Sequence, residues 1–72
     1  MRRLIWEFYG PRAQGIAEHH AVHLREFAQR NAVEDCEVAV TVATNGGVLV
    51  TMHVHDDIAQ RVAEVLRPRR VE

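Results

Sequence analysis

The sequence predicts an α+β domain with three strands and two helices in the order β-α-β-β-α. Two stretches of alternating apolar residues, CEVAVTVAT at 36–44 and VLVTMHVH at 48–55, are typical of strands buried on one face. NGG at 45–47 lies between them and predicts a tight hairpin with a type I′ turn, which needs positive φ at its central residues. Two further segments repeat apolar residues with helical spacing.

The first strand and helix come from residues 4–31. LIWEFY at 4–9 alternates apolar and aromatic residues with period two, which favours a strand with Trp6 and Phe8 pointing into the core. Pro11 fits the first position of a helix, where its missing N–H costs nothing. The helical pattern continues to about Arg30, and Asn31 is a suitable left-handed residue to end it.

The second half of the chain predicts a hairpin followed by a second helix. Val48, Val50, Met52 and Val54 share one face of the last strand. Asp56 is placed to cap the second helix, and Arg67 with Pro68 to end it. The remaining RRVE is expected to be a short tail.

Residues 1–72 therefore form a single domain with two layers. We expect a three-stranded mixed sheet in the order 1-3-2, with strand 3 antiparallel to strand 2 and parallel to strand 1. Both helices cover the valine-rich face of the sheet. The architecture is similar to a ferredoxin-like fold that lacks its last strand, and the similarity extends to architecture alone.

The composition excludes several classes of function. The formal net charge is −1, so the chain has no broad positive field for nucleic acid or an anionic membrane. All nine basic residues are arginine, and the sequence contains no lysine or serine, a bias typical of a GC-rich bacterial genome. Serine nucleophiles, Schiff bases and P-loops are thereby excluded. With no predicted targeting or membrane segment, we expect a cytoplasmic protein that is not an enzyme.

The five histidines fall in two groups, HHAVH at 19–23 and HVH at 53–55. His20 lies within the apolar stripe of the first helix and is expected to be a half-buried neutral core residue. His19 and His23, at i and i+4, have the spacing of two metal ligands on a helix. The zinc-protease order H-E-x-x-H is absent, so the alternative is an ordinary solvated helix edge.

The second histidine group predicts a different metal site. His53 and His55, with Asp57, could bind Zn²⁺, Ni²⁺ or Cu²⁺ through two nitrogens and a carboxylate. The competing interpretation is that both imidazoles lie on a partly covered sheet face. Because that face is opposite the valines, the two histidine groups cannot form one centre within a single chain.

The residues on the sheet face away from the helices predict an interface with another copy of the chain. Its residues are too apolar for a fully solvated surface, which favours contact with a second copy. The expected dimer face is Ile5, Tyr9, Ala39, Thr41, Leu49 and Thr51. The alternative route to a dimer is pairing of an exposed strand edge.

The sequence thus favours a non-enzymatic homodimeric module that binds a protein or a small ligand. One alternative is a histidine-dependent module for a divalent metal. Another is a weak nucleic-acid binder that uses the arginines at 2–3 and 67–70, although the balancing acidic residues make such a partner a poor fit.

Overall fold

A computed structural model describes all residues from Met1 to Glu72. The sheet has four strands in the order β2-β3-β1-β4, all antiparallel to their neighbours, with two helices. The elements are β1 (Arg2–Phe8), α1 (Ala13–Arg30), β2 (Glu37–Val42), β3 (Val48–Val54), α2 (Asp56–Leu66) and β4 (Arg70–Val71). Neither helix is long and apolar enough to cross a membrane.

The hydrophobic core lies between the valine-rich face of the sheet and the helices, as the alternation predicts. Val50, Met52 and Val54 of β3 are fully buried, and the cross-strand partners of Val50 and Met52 on β1 are Trp6 and Leu4. The buried residues of α1 recur every three or four positions and form the helical side of the core: Ala13, Ala17, Ala21 and Leu24.

Two features of the predicted sheet are wrong. β3 is antiparallel to β1, not parallel, and RRVE is not a tail but contributes the fourth strand. The crossover through α1 makes β2 parallel to β1, and the hairpin then makes β3 antiparallel to β2. The strand between β1 and β2 must therefore run opposite to both, so the sheet is antiparallel throughout.

The ends of α1 differ in detail from the prediction. Pro11 precedes the helix and lies in a turn in which the Ala13 N–H donates to the Gly10 carbonyl at 3.1 Å. Asn31 ends the helix as predicted, but its φ is −101° and the left-handed residue is Ala32. The Asn31 side-chain amide donates to the Phe27 carbonyl at 2.8 Å, so it satisfies a terminal carbonyl without the left-handed conformation.

The hairpin and the start of α2 also differ in detail from the prediction. Residues 43–47 connect β2 and β3, with an Ala43–Gly46 turn and only Gly46 at positive φ, so this is not a type I′ turn. His55, not Asp56, is the residue before α2, and neither side chain caps the helix. Asp56 instead pairs with the amino group of Met1 at 2.9 Å, whereas left-handed Arg67 ends α2 as expected.

The hydrogen-bond pattern of the sheet shows which backbone groups its two edges leave free. The Ala43 N–H donates to the Gly47 carbonyl at 2.7 Å, and hydrogen-bonded pairs alternate along an antiparallel ladder. The odd residues of β2 therefore bond to β3, and Val38, Val40 and Val42 point their N–H and C=O groups outward. On the other side of the sheet, the same alternation directs the backbone of Arg3 toward β4, where it exchanges two bonds of 2.9 and 2.8 Å with Glu72.

Candidate functional site

His20 lies beneath the sheet-facing side of α1 against two aromatic rings. Its ring centroid is 4.9 Å from that of Trp6 and 5.5 Å from that of Phe8, both with edge-to-face geometry. Its Nε2 is buried without a hydrogen-bond partner. Burial, and secondarily the charge of His23, holds the pKa of His20 below its ordinary value, which favours the neutral ring. The side chain thus has the surroundings of a core residue.

His19 and His23 lie on the exposed side of the same helix. Their Nε2 atoms are 2.9 Å apart, and their ring centroids are separated by 4.5 Å. Glu26 lies one turn on, with its carboxylate 3.8 Å from the Nδ1 of His23. One helix therefore brings two ring nitrogens together, as the i, i+4 spacing predicts.

His53, His55 and Asp57 are separated by the end of β3. His53 is half-buried on the open sheet face, where its cross-strand partners are Arg3 and Glu37. His55 lies beyond the strand, with its Nε2 3.1 Å from a carboxylate oxygen of Asp35. No group of three or more His, Cys, Asp or Glu side chains is arranged to hold a metal ion. The helices cover the valines, so His20 and His53 lie on opposite faces of the sheet.

The open sheet face, away from the helices, divides into two halves. On the β1–β4 half, Ile5 is only 3% exposed, although no helix covers it. The Tyr9 ring lies over the hairpin, where a Cβ at Gly47 would be only 2.6 Å from it, and its hydroxyl donates to Glu7 at 3.2 Å. The other four predicted dimer-face residues lie on the β2–β3 half: Ala39, Thr41, Leu49 and Thr51.

Paired charges cover the β1–β4 half, a feature that sequence reasoning missed. Arg70 contacts both Glu7 and Glu72, and Arg3 contacts Glu72 at 2.5 Å. Hydrogen bonds from Arg70 lower the pKa of Glu7, and those from Arg3 and then Arg70 lower the pKa of Glu72. The arginines that suggested nucleic-acid binding are thus largely engaged with carboxylates of the same chain.

The β2 edge has no comparable covering. Val42 is 62% exposed at the end of the strand, and Val22 of α1 is 49% exposed beside it. The guanidinium of Arg25 donates to the outward carbonyl of Val38 at 3.2 Å. Glu18 lies with Val40 and Val42 on the same shallow surface. The edge is therefore an apolar strip with one charge of each sign on the neighbouring helix.

A groove of about 650 Å³ opens between the carboxyl end of α1 and helix α2. Phe27, Ile58, Val62 and Val65 are among its apolar lining residues, and Arg61, Asp57 and His55 are among the polar ones. Its size falls in the usual range for small-molecule sites. No sequence pattern predicts this groove, because it depends on how far apart the two helices lie.

Cys36 lies immediately before β2, half-buried against the core. Burial, followed by the charge of Glu37, raises the pKa of its thiol. A raised pKa disfavours the thiolate, so these surroundings suit a packing residue better than a nucleophile.

No protein-family model, curated protein or solved structure matches this chain.

Proposed function

We propose that the chain is a non-enzymatic binding module that works as a homodimer, in which two copies join their β2 edges into one continuous sheet. The observation that carries the proposal is the row of outward backbone groups on Val38, Val40 and Val42. Free groups of this kind template pairing with another strand unless they are covered. We also assign the four-stranded architecture to the ferredoxin-like class on the basis of its element and strand order.

A two-fold axis through Val40 fits this edge. It would place Val38 of one copy opposite Val42 of the other, so that every outward residue meets an outward residue on the same face. Glu37 would lie opposite Ala43, and no like charges would oppose each other. The exposed Val42 and Val22 of both copies would be covered beside the seam.

The charges on α1 are complementary under the same axis. Glu18 and Arg25 are seven residues apart, about 10 Å along a helix. Val38 and Val42 are about 13 Å apart along a strand. Arg25 lies at the Val38 end of the edge, and Glu18 on the earlier part of α1 lies toward the Val42 end, because α1 runs opposite to β2. The axis therefore brings Glu18 of each copy toward Arg25 of the other.

A charge swap tests this arrangement. We expect the wild-type chain to sediment as a dimer, and Glu18→Arg and Arg25→Glu each to weaken the dimer about ten-fold or more by opposing like charges. The double variant restores opposite charges across the seam and should recover most of the affinity. Sedimentation velocity over a wide concentration range measures all four proteins.

A monomeric wild-type chain at every concentration would refute the homodimer. A dimer that tolerates both single charge reversals would refute β2 pairing and point to the open face, which Leu49→Glu then tests. Circular dichroism establishes that each variant is folded.

The groove between α1 and α2 supports a second candidate function, the binding of a small apolar ligand. Val42 and Val65 are both 62% exposed, one on the β2 edge and one in the groove. An apolar fluorescent naphthalene dye serves as the probe. We expect Val65→Lys to reduce dye binding and leave the dimer intact. Val42→Lys should weaken the dimer and leave dye binding unchanged. Equal dye binding by wild type and Val65→Lys would eliminate the groove as the site.

A further inference from the structure

The exposed pair of histidines on α1 is used by neither the β2 edge nor the groove. The β2-facing side of α1 carries Glu18 and Arg25, and the groove lies at the carboxyl end of the helix. His19 and His23 occupy a third, solvent-facing surface, where their rings meet at 70°. Their role is independent of the proposed dimer.

The distance between the two nitrogens is informative about what they can bind. Imidazole nitrogens coordinate divalent transition metals at about 2.0–2.1 Å. Two nitrogens bound to one such ion lie about 3 Å apart. The neutral rings of His19 and His23 share a hydrogen bond with an Nε2–Nε2 distance of 2.9 Å, so one of the two atoms carries a proton. The two nitrogens are therefore close enough to bind one ion, and that proton must leave Nε2 when the metal binds.

The neighbouring residues are compatible with coordination through both Nε2 atoms. The carboxylate of Glu26 lies on the Nδ1 side of His23, at 3.8 Å, and favours a proton on that nitrogen. A proton on Nδ1 leaves the Nε2 lone pair free to bind a metal. His20, the third histidine of the motif, points away toward Trp6 and Phe8 and cannot join them.

We infer that His19 and His23 form an exposed two-nitrogen site for Cu²⁺ or Ni²⁺, with water completing the coordination. Cu²⁺ binds most tightly, since it leads the affinity order of first-row divalent ions and favours tetragonal nitrogen and oxygen ligands. Because only two protein ligands are present, the ion exchanges readily.

Titration of the intact chain with Cu²⁺ alone tests the site. We expect one copper ion bound per chain and an electron paramagnetic resonance spectrum with coupling to two imidazole nitrogens. His19→Ala and His23→Ala should each weaken binding at least ten-fold, and His53→Ala, the matched control, should leave it unchanged. Bound metal should also raise the melting temperature of wild type but not of the single variants.

Three results would overturn the site. The first is unchanged copper affinity in His19→Ala or His23→Ala. The second is coupling to four nitrogens per ion, because that would place the metal between chains. The third is Zn²⁺ binding at this pair as tight as Cu²⁺ binding, which would contradict the affinity order of first-row divalent ions.

Discussion

The two edges of the sheet are built differently, although the same rule of alternation governs both. At the β1 side, the outward backbone of Arg3 bonds to Glu72, and the carboxyl-terminal segment is held to β1 by the Arg70–Glu7 and Arg3–Glu72 ion pairs. At the β2 side, outward groups on three valines face no further strand of the same chain, and only Arg25 reaches one of them. A two-residue strand can therefore close an edge when charges fix it, whereas a six-residue strand can remain open.

Proline substitutions along β2 should give the largest effect. Thr41→Pro removes an N–H that bonds to β3 and leaves a ladder carbonyl unpaired, which should cost about 1–3 kcal/mol in the free energy of unfolding. Val42→Pro removes an outward N–H and a side chain that is 62% exposed, so it should cost less in the free energy of unfolding than Thr41→Pro while it weakens β2 pairing. Urea denaturation of dilute, monomeric protein measures both; equal losses would contradict the assigned alternation.

Removal of Glu7 should open the closed edge. In Glu7→Ala, Arg69 and Arg70 lose the carboxylate that ties them to β1, although Arg70 keeps its contact with Glu72. β4 should then separate from β1 in a larger fraction of molecules. Amide hydrogen exchange should then accelerate at Arg3, whose N–H donates to Glu72. Leu4, whose backbone faces β3, is the internal control. Unchanged exchange at Arg3 would show that backbone pairing holds β4 without the charges.

Low pH should also weaken the closed edge, by a smaller amount than removal of Glu7. Arginine partners lower the folded-state pKa values of Glu7 and Glu72, so these pairs contribute stability that is fully present above the ordinary carboxyl pKa. That stability is lost as the pH falls through the lower folded-state values. Unfolding midpoints between about pH 5 and about pH 3 should fall less steeply in Glu7→Gln than in wild type. Identical slopes would remove Glu7 from this role.

The faces of the sheet and helices could be predicted because they follow from local periodicity. Alternation placed Trp6 inside and His53 outside, and helical spacing placed His20 in the core and His19 at the surface. The i, i+4 histidine pair was likewise visible, because helical neighbours meet within one turn. These features need only the nearest residues of the chain, so one sequence is enough to predict them.

The sequence could not predict β4, because RRVE has too few residues to show any period. It forms a strand because β1 has outward backbone groups to satisfy and because Glu7 lies where Arg70 can reach it. The capping role expected of Asp56 failed for a related reason: the Met1 amino group, distant in sequence, competes for its carboxylate. The groove between the helices also depends on long-range placement.

The two helices, the three longer strands, the face that each buries and the pairing of His19 with His23 thus follow from the sequence, since these depend on the fixed geometry of neighbouring residues. Tertiary structure decided the direction of β3, the closure of one edge by β4 and the exposure of the other. Those outcomes depend on which distant backbone groups and charges come within bonding distance, and no local pattern carries that information.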